Sequence, residues 1–111
     1  MNWINLTDDQ QLATIREESN TRPVVIFKHS TRCAISSMAK NRLERSVQPE
    51  QIDFYYLDLI RHRGISNKIA EDFQVHHESP QILLIKNGEC IYEESHNGID
   101  MDEIAKMAAA N

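Results

Sequence analysis

Of the two cysteines in this chain, only Cys33 sits among residues that suit a reactive thiol. It lies in the run His29-Ser30-Thr31-Arg32-Cys33-Ala34-Ile35-Ser36-Ser37. Cysteine attacks disulfides and electrophiles as its thiolate, and a helix N-terminus and a neighbouring cation both favour that form. The sequence predicts both here. Before Cys33, Val24-Val25-Ile26-Phe27 is an apolar, β-branched run of the kind that forms a buried strand. After it, Ile35, Met38, Ala39 and Leu43 recur at spacings of three and four, which marks one helical face. Cys33 therefore falls at a strand–loop–helix junction, beside unpaired N–H groups whose dipoles attract negative charge, with Arg32 next to it. The competing reading is a buried cysteine acting as a small hydrophobe. Flanks of Thr31, Arg32, Ser36 and Ser37 fit that reading poorly.

A thiol three residues further on would complete a Cys-x-x-Cys redox pair, but that position is Ser36. Cys33 then has no local partner to resolve a mixed disulfide, so a second thiol molecule must finish any exchange. Cys90 lies in a later strand and is expected to be structural, with a Cys33–Cys90 disulfide the lesser alternative.

The elements that must hold Cys33 read as follows. Trp3-Ile4-Asn5 is a short first strand, and Thr7 with Gln10 matches a capping box, predicting a helix over 8–19 with Leu12, Ala13 and Ile15 inward. Pro23 separates it from the central strand over 23–29, and the Cys33 helix extends to about residue 46. Residues 52–59 form a second strong strand. A helix over 62–73 uses Ile65, Ile69, Ala70 and Phe73, with Gly64 weakening its first turn. Residues 75–81 are a loop, 82–85 a buried strand, and Asn87-Gly88 a type I′ hairpin turn leading to a strand over 89–95. Asp100 caps the last helix with Glu103 three residues on, and Ile99 and Ile104 form a staple across it. Met38 and Met107 are expected in the core. The order β-α-β-α-β-α-β-β-α implies parallel strands joined by helical crossovers, with a terminal antiparallel hairpin on the same sheet. That is an α/β, thioredoxin-like architecture with a mixed central sheet flanked by helices.

Composition sets the outer bounds. The 111 residues are 41% hydrophobic and 26% charged, with a formal charge of −5. This is ordinary globular usage and enough chain for one core, so a single domain over 1–111 is expected. An acidic chain whose longest basic run is Arg61-His62-Arg63, read as a solvated helix start, offers no nucleic-acid surface. The N-terminus lacks the basic and apolar regions of a signal peptide, and no apolar run has the length of a membrane span. Two cysteines are too few for a disulfide scaffold, so a cytoplasmic location without membrane partners is expected.

Residues 29–39, Asp58-Leu59 followed by Ile65-Ser66-Asn67, and His77-Glu78-Ser79-Pro80-Gln81 together resemble the YtxJ family of monothiol bacilliredoxins over nearly the whole chain. One departure is that the family usually carries Pro directly after the cysteine, where this chain has Ala34. Proline there would stiffen the first helical turn. The resemblance implies a thiol–disulfide oxidoreductase that removes bacillithiol from protein mixed disulfides. Cys33 is then the nucleophile, free bacillithiol the co-substrate, and an NADPH-dependent bacillithiol-disulfide reductase the indirect partner. Such exchange needs no metal or bound cofactor. Ser36 either hydrogen-bonds the thiolate or is an ordinary first-turn serine. Ser79-Pro80 matches the cis-proline loop of thioredoxin-like proteins, whose backbone pairs with the thiol ligand. Gly98, in Asn97-Gly98-Ile99-Asp100, matches in position the segment with which glutaredoxins hold a thiol's carboxylate.

Arg32 and Lys28 either meet the carboxylates of a small anionic thiol or lie in solvent. His29, His76 and His77 could imitate a metal site with Cys33, but their spacing fits no structural pattern, and no metal is expected. Two other functions remain open: an iron–sulfur carrier of the monothiol glutaredoxin kind, although Cys-Ala-Ile-Ser departs from its usual Cys-Gly-Phe-Ser, and a redox-sensing module without turnover.

Overall fold

The computed structural model describes residues 1–110. Its elements are β1 (Trp3–Asn5), α1 (Gln11–Glu18), β2 (Val24–His29), α2 (Ala34–Arg45), β3 (Asp53–Asp58), α3 (Arg63–Phe73), β4 (Gln81–Lys86), β5 (Glu89–Ser95) and α4 (Met101–Ala109). A single 3-10 turn, His96–Gly98, precedes α4. The strands form one sheet in the order β1-β3-β2-β4-β5. β1, β3 and β2 run parallel, β4 pairs antiparallel with β2, and β5 pairs antiparallel with β4. This is the thioredoxin-like arrangement the residue pattern implies.

β2 is the centre of the sheet and is buried along its whole length. Its side chains alternate between two cores, as a pleated strand requires. Val24 and Ile26 join Leu12 and Ile15 of α1 and Ile65, Ile69 and Phe73 of α3 on one face. Val25 and Phe27 join Ala39 and Leu43 of α2 and Met101, Ile104 and Ala108 of α4 on the other. Burial on both faces explains why β2 reads as a continuous apolar run rather than an alternation. The hairpin turn takes positive φ at Asn87 (54°) and Gly88 (78°), as a type I′ turn demands. It is pinned to the end of α1 by Ser19, whose carbonyl accepts from Asn87 N (2.8 Å) and whose hydroxyl accepts from Gly88 N (2.8 Å).

Two helices depart from the sequence pattern. α1 starts at Gln11, not near residue 8, and the Thr7 capping box does not form. Gln11 Oε1 instead accepts from Thr7 N (2.8 Å) and Asp8 N (3.0 Å), while Asp8 Oδ1 accepts from Gln10 N (2.9 Å). Asp8 outcompetes Thr7 because its carboxylate satisfies a backbone N–H two residues on, which holds that segment as a turn. Leu12 and Ile15 are the buried positions of α1, and Ala13 faces outward. In α2 the buried stripe is Ser36, Ala39 and Leu43, whereas Ile35 and Met38 are 45% and 58% exposed. The expected core position of Met38 is therefore wrong, for a reason that lies in Ser36 and is given below. Met107 does pack against the core.

At α4, Asp100 Oδ2 accepts from Glu103 N (3.3 Å), and both Ile99 and Ile104 are buried. Asp100→Ala should lower the free energy of unfolding by about 1 kcal/mol, the usual worth of such a cap. Urea titration should show an earlier midpoint with an unchanged slope.

Candidate active site

β2 ends at His29, the chain turns through residues 30–32, and Cys33 is the N-cap of α2 with φ −114° and ψ 120°. Its N–H donates to Ser30 O (3.2 Å) and its carbonyl accepts from Ser37 N (3.1 Å), the first bond of the helix. The thiol is half-buried. No side chain caps α2 and no acidic residue occupies its first turn, so no carboxylate offsets the positive end of the helix beside Cys33. Arg32 is exposed and has no ion pair among the described residues.

Ser36 lies directly under this loop and is fully buried. Its hydroxyl does not bond to the Cys33 sulfur. Oγ sits 2.7 Å from His29 Nδ1 and accepts from Ser30 N (3.0 Å). This is what rotates α2 away from its expected phase: a hydroxyl with one buried and one half-buried partner goes inward, and Ile35 and Met38 turn out. The His29 ring stacks on Phe27 (5.7 Å) and packs against Tyr56 (5.6 Å). Burial and then the nearby Lys40 ammonium hold its pKa below the ordinary histidine value.

The Ser79–Pro80 peptide is cis. Register brings it to the same end of the sheet, because Gln81 pairs with Lys28 and the antiparallel ladder continues back towards Pro80 beside the end of β2. Ser79 Oγ is buried without a hydrogen-bond partner among the described residues. Gln81 braces this loop: its amide donates to His76 O (3.0 Å) and Glu93 Oε1 (3.1 Å), and its carbonyl oxygen accepts from Glu78 N (3.3 Å). Gly98 is brought to this end as well, since His96 N donates to Pro80 O (3.1 Å). Arg42 of α2 holds the turn by donating to His96 O (3.0 Å) and Ile99 O (3.2 Å). A Cβ on Gly98 would fall 2.5 Å from Cδ of the Glu94 side chain, which would have to swing aside to admit it. Cys33, Ser36, Ser79, Pro80 and Gly98 thus gather at one end of the sheet, with exposed Arg32 at its rim.

Lys28 departs from both expectations for it. It is fully buried, with Nζ donating to Ser66 O (3.2 Å) and 3.3 Å from His77 Nδ1. The cause is its place on a strand covered on both faces, which leaves no side-chain position facing water. Burial pulls its pKa down to about 8. His77 is also lowered, by burial and then by the Lys28 charge. Cys90 lies at the other end of the sheet: it pairs with Ile85, which pairs with Val24 at the start of β2. Five residues of strand separate Val24 from His29, roughly 17 Å, too far for a disulfide with Cys33. Burial raises the Cys90 thiol to about 11, and Sγ donates to Tyr92 O (3.3 Å). Among the described residues no three His, Cys, Asp or Glu side chains converge as a metal-holding group, and no helix is long and apolar enough to cross a membrane.

His29, Lys28, Gln81 and Arg42 are the residues that sequence reasoning missed or misplaced. A polar residue closing an apolar strand was the only signal His29 and Lys28 gave.

The family model for monothiol bacilliredoxin BrxC matches residues 4–104. The chain belongs to the monothiol bacilliredoxin family. A solved protein described as having a thioredoxin fold is 31% identical to this bacilliredoxin, with 95% of this chain and 92% of that chain covered and a TM-score of 0.83. A mutant thioredoxin from Halobacterium salinarum (15% identity, 99% and 94% covered, TM-score 0.72) and the thioredoxin of Trypanosoma brucei brucei (11%, 96% and 87%, TM-score 0.73) share the fold. Family and fold together make this bacilliredoxin a redox thiol-exchange protein.

The buried Lys28 amine has a measurable signature. Between about pH 8 and 10.5 an unfolded lysine keeps its proton while folded Lys28 releases it. The unfolded state then binds more protons, so Lys28 makes stability rise with pH across that window. In the Lys28→Met protein this contribution should vanish. Subtracting its unfolding free energies from those of the wild type, by urea titration at each pH, should leave a rising difference of up to ~3 kcal/mol.

Proposed function

We propose that the protein is a monothiol exchange enzyme that removes bacillithiol from protein mixed disulfides through Cys33. The observation that carries this reading is a half-exposed thiol at an uncapped helix N-terminus with no second thiol within reach. Position 36 is a buried, hydrogen-bonded serine, and Cys90 stands at the far end of the sheet. Membership of the monothiol bacilliredoxin family supports bacillithiol as the small thiol.

In the proposed cycle the Cys33 thiolate attacks the bacillithiol sulfur of a client's mixed disulfide. A bond forms between Cys33 and that sulfur, the client–bacillithiol bond breaks, and the client cysteine leaves as a thiolate and takes up a proton. A second bacillithiol thiolate then attacks the bacillithiol sulfur on Cys33. Cys33 leaves as a thiolate and oxidised bacillithiol is released, to be returned to thiols by an NADPH-dependent bacillithiol-disulfide reductase. Over the cycle the client sulfur is reduced from the disulfide to the thiol level and the sulfur of the second bacillithiol is oxidised from the thiol to the disulfide level, while the first bacillithiol's sulfur stays at the disulfide level. No metal or bound cofactor enters either step.

The backbone beside cis-Pro80 supplies the pairing edge for the bound thiol, and the Ser79 hydroxyl has no protein partner competing for it. Arg32 meets the carboxylates of the small thiol, and the exposed Gly98 turn borders the same site. The S-bacillithiolated client is the protein partner.

Intact-mass analysis after mixing a bacillithiolated test protein with the wild type and with Cys33→Ser tests the reading. One bacillithiol should appear on the wild type only and be removed by added bacillithiol. Label that transfers but is not released identifies a sensor. No label on Cys33, with a visible chromophore after anaerobic iron–sulfur reconstitution, favours the cluster carrier.

A further inference from the structure

We propose that His29 is a positioning residue for Cys33, acting through Ser36 and Ser30. The inference rests on the reading of Cys33 as the exchanging thiol and adds a residue that reading does not use.

Three hydrogen bonds form an unbroken chain from the ring to the cysteine. His29 Nδ1 is 2.7 Å from Ser36 Oγ, Ser36 Oγ accepts from Ser30 N at 3.0 Å, and Ser30 O accepts from Cys33 N at 3.2 Å. Donor and acceptor roles follow from chemistry. The Ser30 N–H can only donate, so Ser36 Oγ accepts there, and its own O–H needs an acceptor. Ser36 is 0% exposed, so water does not serve, and His29 Nδ1 is the partner in reach. The ring proton therefore belongs on Nε2. Ser30 is the hub: its N–H is fixed through the side chain of Ser36 and its carbonyl fixes the backbone of Cys33. The loop that aims the thiol is thus tied to a ring that itself cannot shift, 4% exposed and packed against Phe27 and Tyr56.

The charged groups around the ring come from two elements, Lys40 and Glu44 on α2 and Asp58 at the end of β3, with the Tyr56 phenol also on β3. Burial and then Lys40 outweigh Asp58, the Ser36 contact and Glu44, which pull the other way, so the balance favours the neutral ring, the form that can accept at Nδ1. A protonated ring carries N–H at Nδ1 and presents a donor where Ser36 needs an acceptor. The position that would hold a resolving thiol in a two-cysteine protein here holds the brace for the single thiol.

The test is the second-order rate of Cys33 alkylation by iodoacetamide from about pH 5 to 9, with the label located by peptide mass analysis. The proteins are the wild type, Ser36→Ala, His29→Phe, His29→Asn and the Ser36→Ala/His29→Phe double variant, each checked for folding by thermal melting. His29→Phe keeps an aromatic ring but removes the acceptor, and His29→Asn restores a polar group near Nδ1. At neutral pH, Ser36→Ala and His29→Phe should each slow alkylation about tenfold, as expected for one lost buried hydrogen bond. The double variant should be no slower than either, because both break one chain, and His29→Asn should recover to within about threefold of the wild type. A folded His29→Phe protein with the wild-type rate and pH profile overturns the proposal, as do effects that add in the double variant. Nitrogen-15 spectra of the wild-type histidines give a second measurement that needs no variant. Nδ1 of His29 should be unprotonated at neutral pH, and a protonated Nδ1 overturns the assignment. A wild-type Cys33 no more reactive than a free small thiol, yet slowed by His29→Phe as described, sinks the exchange reading and leaves the positioning role intact.

Discussion

The hydroxyl of Ser36 decides how α2 sits on the sheet. Facing inward, it answers the half-buried Ser30 N and the buried His29 Nδ1 at once, and neither group has another hydrogen-bond partner assigned to it. Leaving such a group unpaired costs about 1–3 kcal/mol, comparable with what burying one more aliphatic side chain would return. The helix therefore buries Ser36, Ala39 and Leu43 and leaves Ile35 and Met38 in solvent. Because Cys33 is the N-cap of that helix, the same choice of phase fixes where the thiol emerges.

The site is built at one end of the sheet by elements distant in sequence. β2 delivers the cysteine loop, the antiparallel pairing of β4 with β2 delivers cis-Pro80, and β5 returns the chain to the turn containing Gly98. Two side chains lock this convergence from different directions. Gln81 holds the loop before the proline to Glu93 of β5, and Arg42 ties the last turn to α2. The opposite end carries the hairpin, anchored by Ser19, and the buried Cys90. The cysteine loop and the hairpin anchor thereby lie at opposite ends of the strands, and the second cysteine is kept from the first by the length of β2.

Lys28 shows that this end is not built for stability alone. An ammonium on a fully buried strand position is costly even with a carbonyl and a ring nitrogen as acceptors. What it joins is specific: Ser66 of α3 and His77 of the loop that leads to cis-Pro80. The amine thus connects the central strand to the loop through a polar contact whose length and direction are fixed, where apolar packing would leave both adjustable.

The sequence by itself determined the architecture, the placement of Cys33 at the start of a helix and the family. These rest on local signals: the apolar run 24–27, the Asn87-Gly88 turn, the Asp100 cap and the Cys33-Ala34-Ile35-Ser36 spacing each act within a few residues. The family motif also pointed to Ser79-Pro80, whose cis peptide the fold contains. Tertiary structure alone decided which face of α2 is buried, that Thr7 loses the helix start to Asp8 and Gln11, that Lys28 is inside, and that His29 lies beneath the active loop. Each of those outcomes depends on a hydrogen-bond partner or a covering layer supplied by another part of the chain. Periodicity records that a residue is apolar, not that a polar one has found its partner. A serine at position 36 looks solvent-bound until folding brings His29 and Ser30 to it.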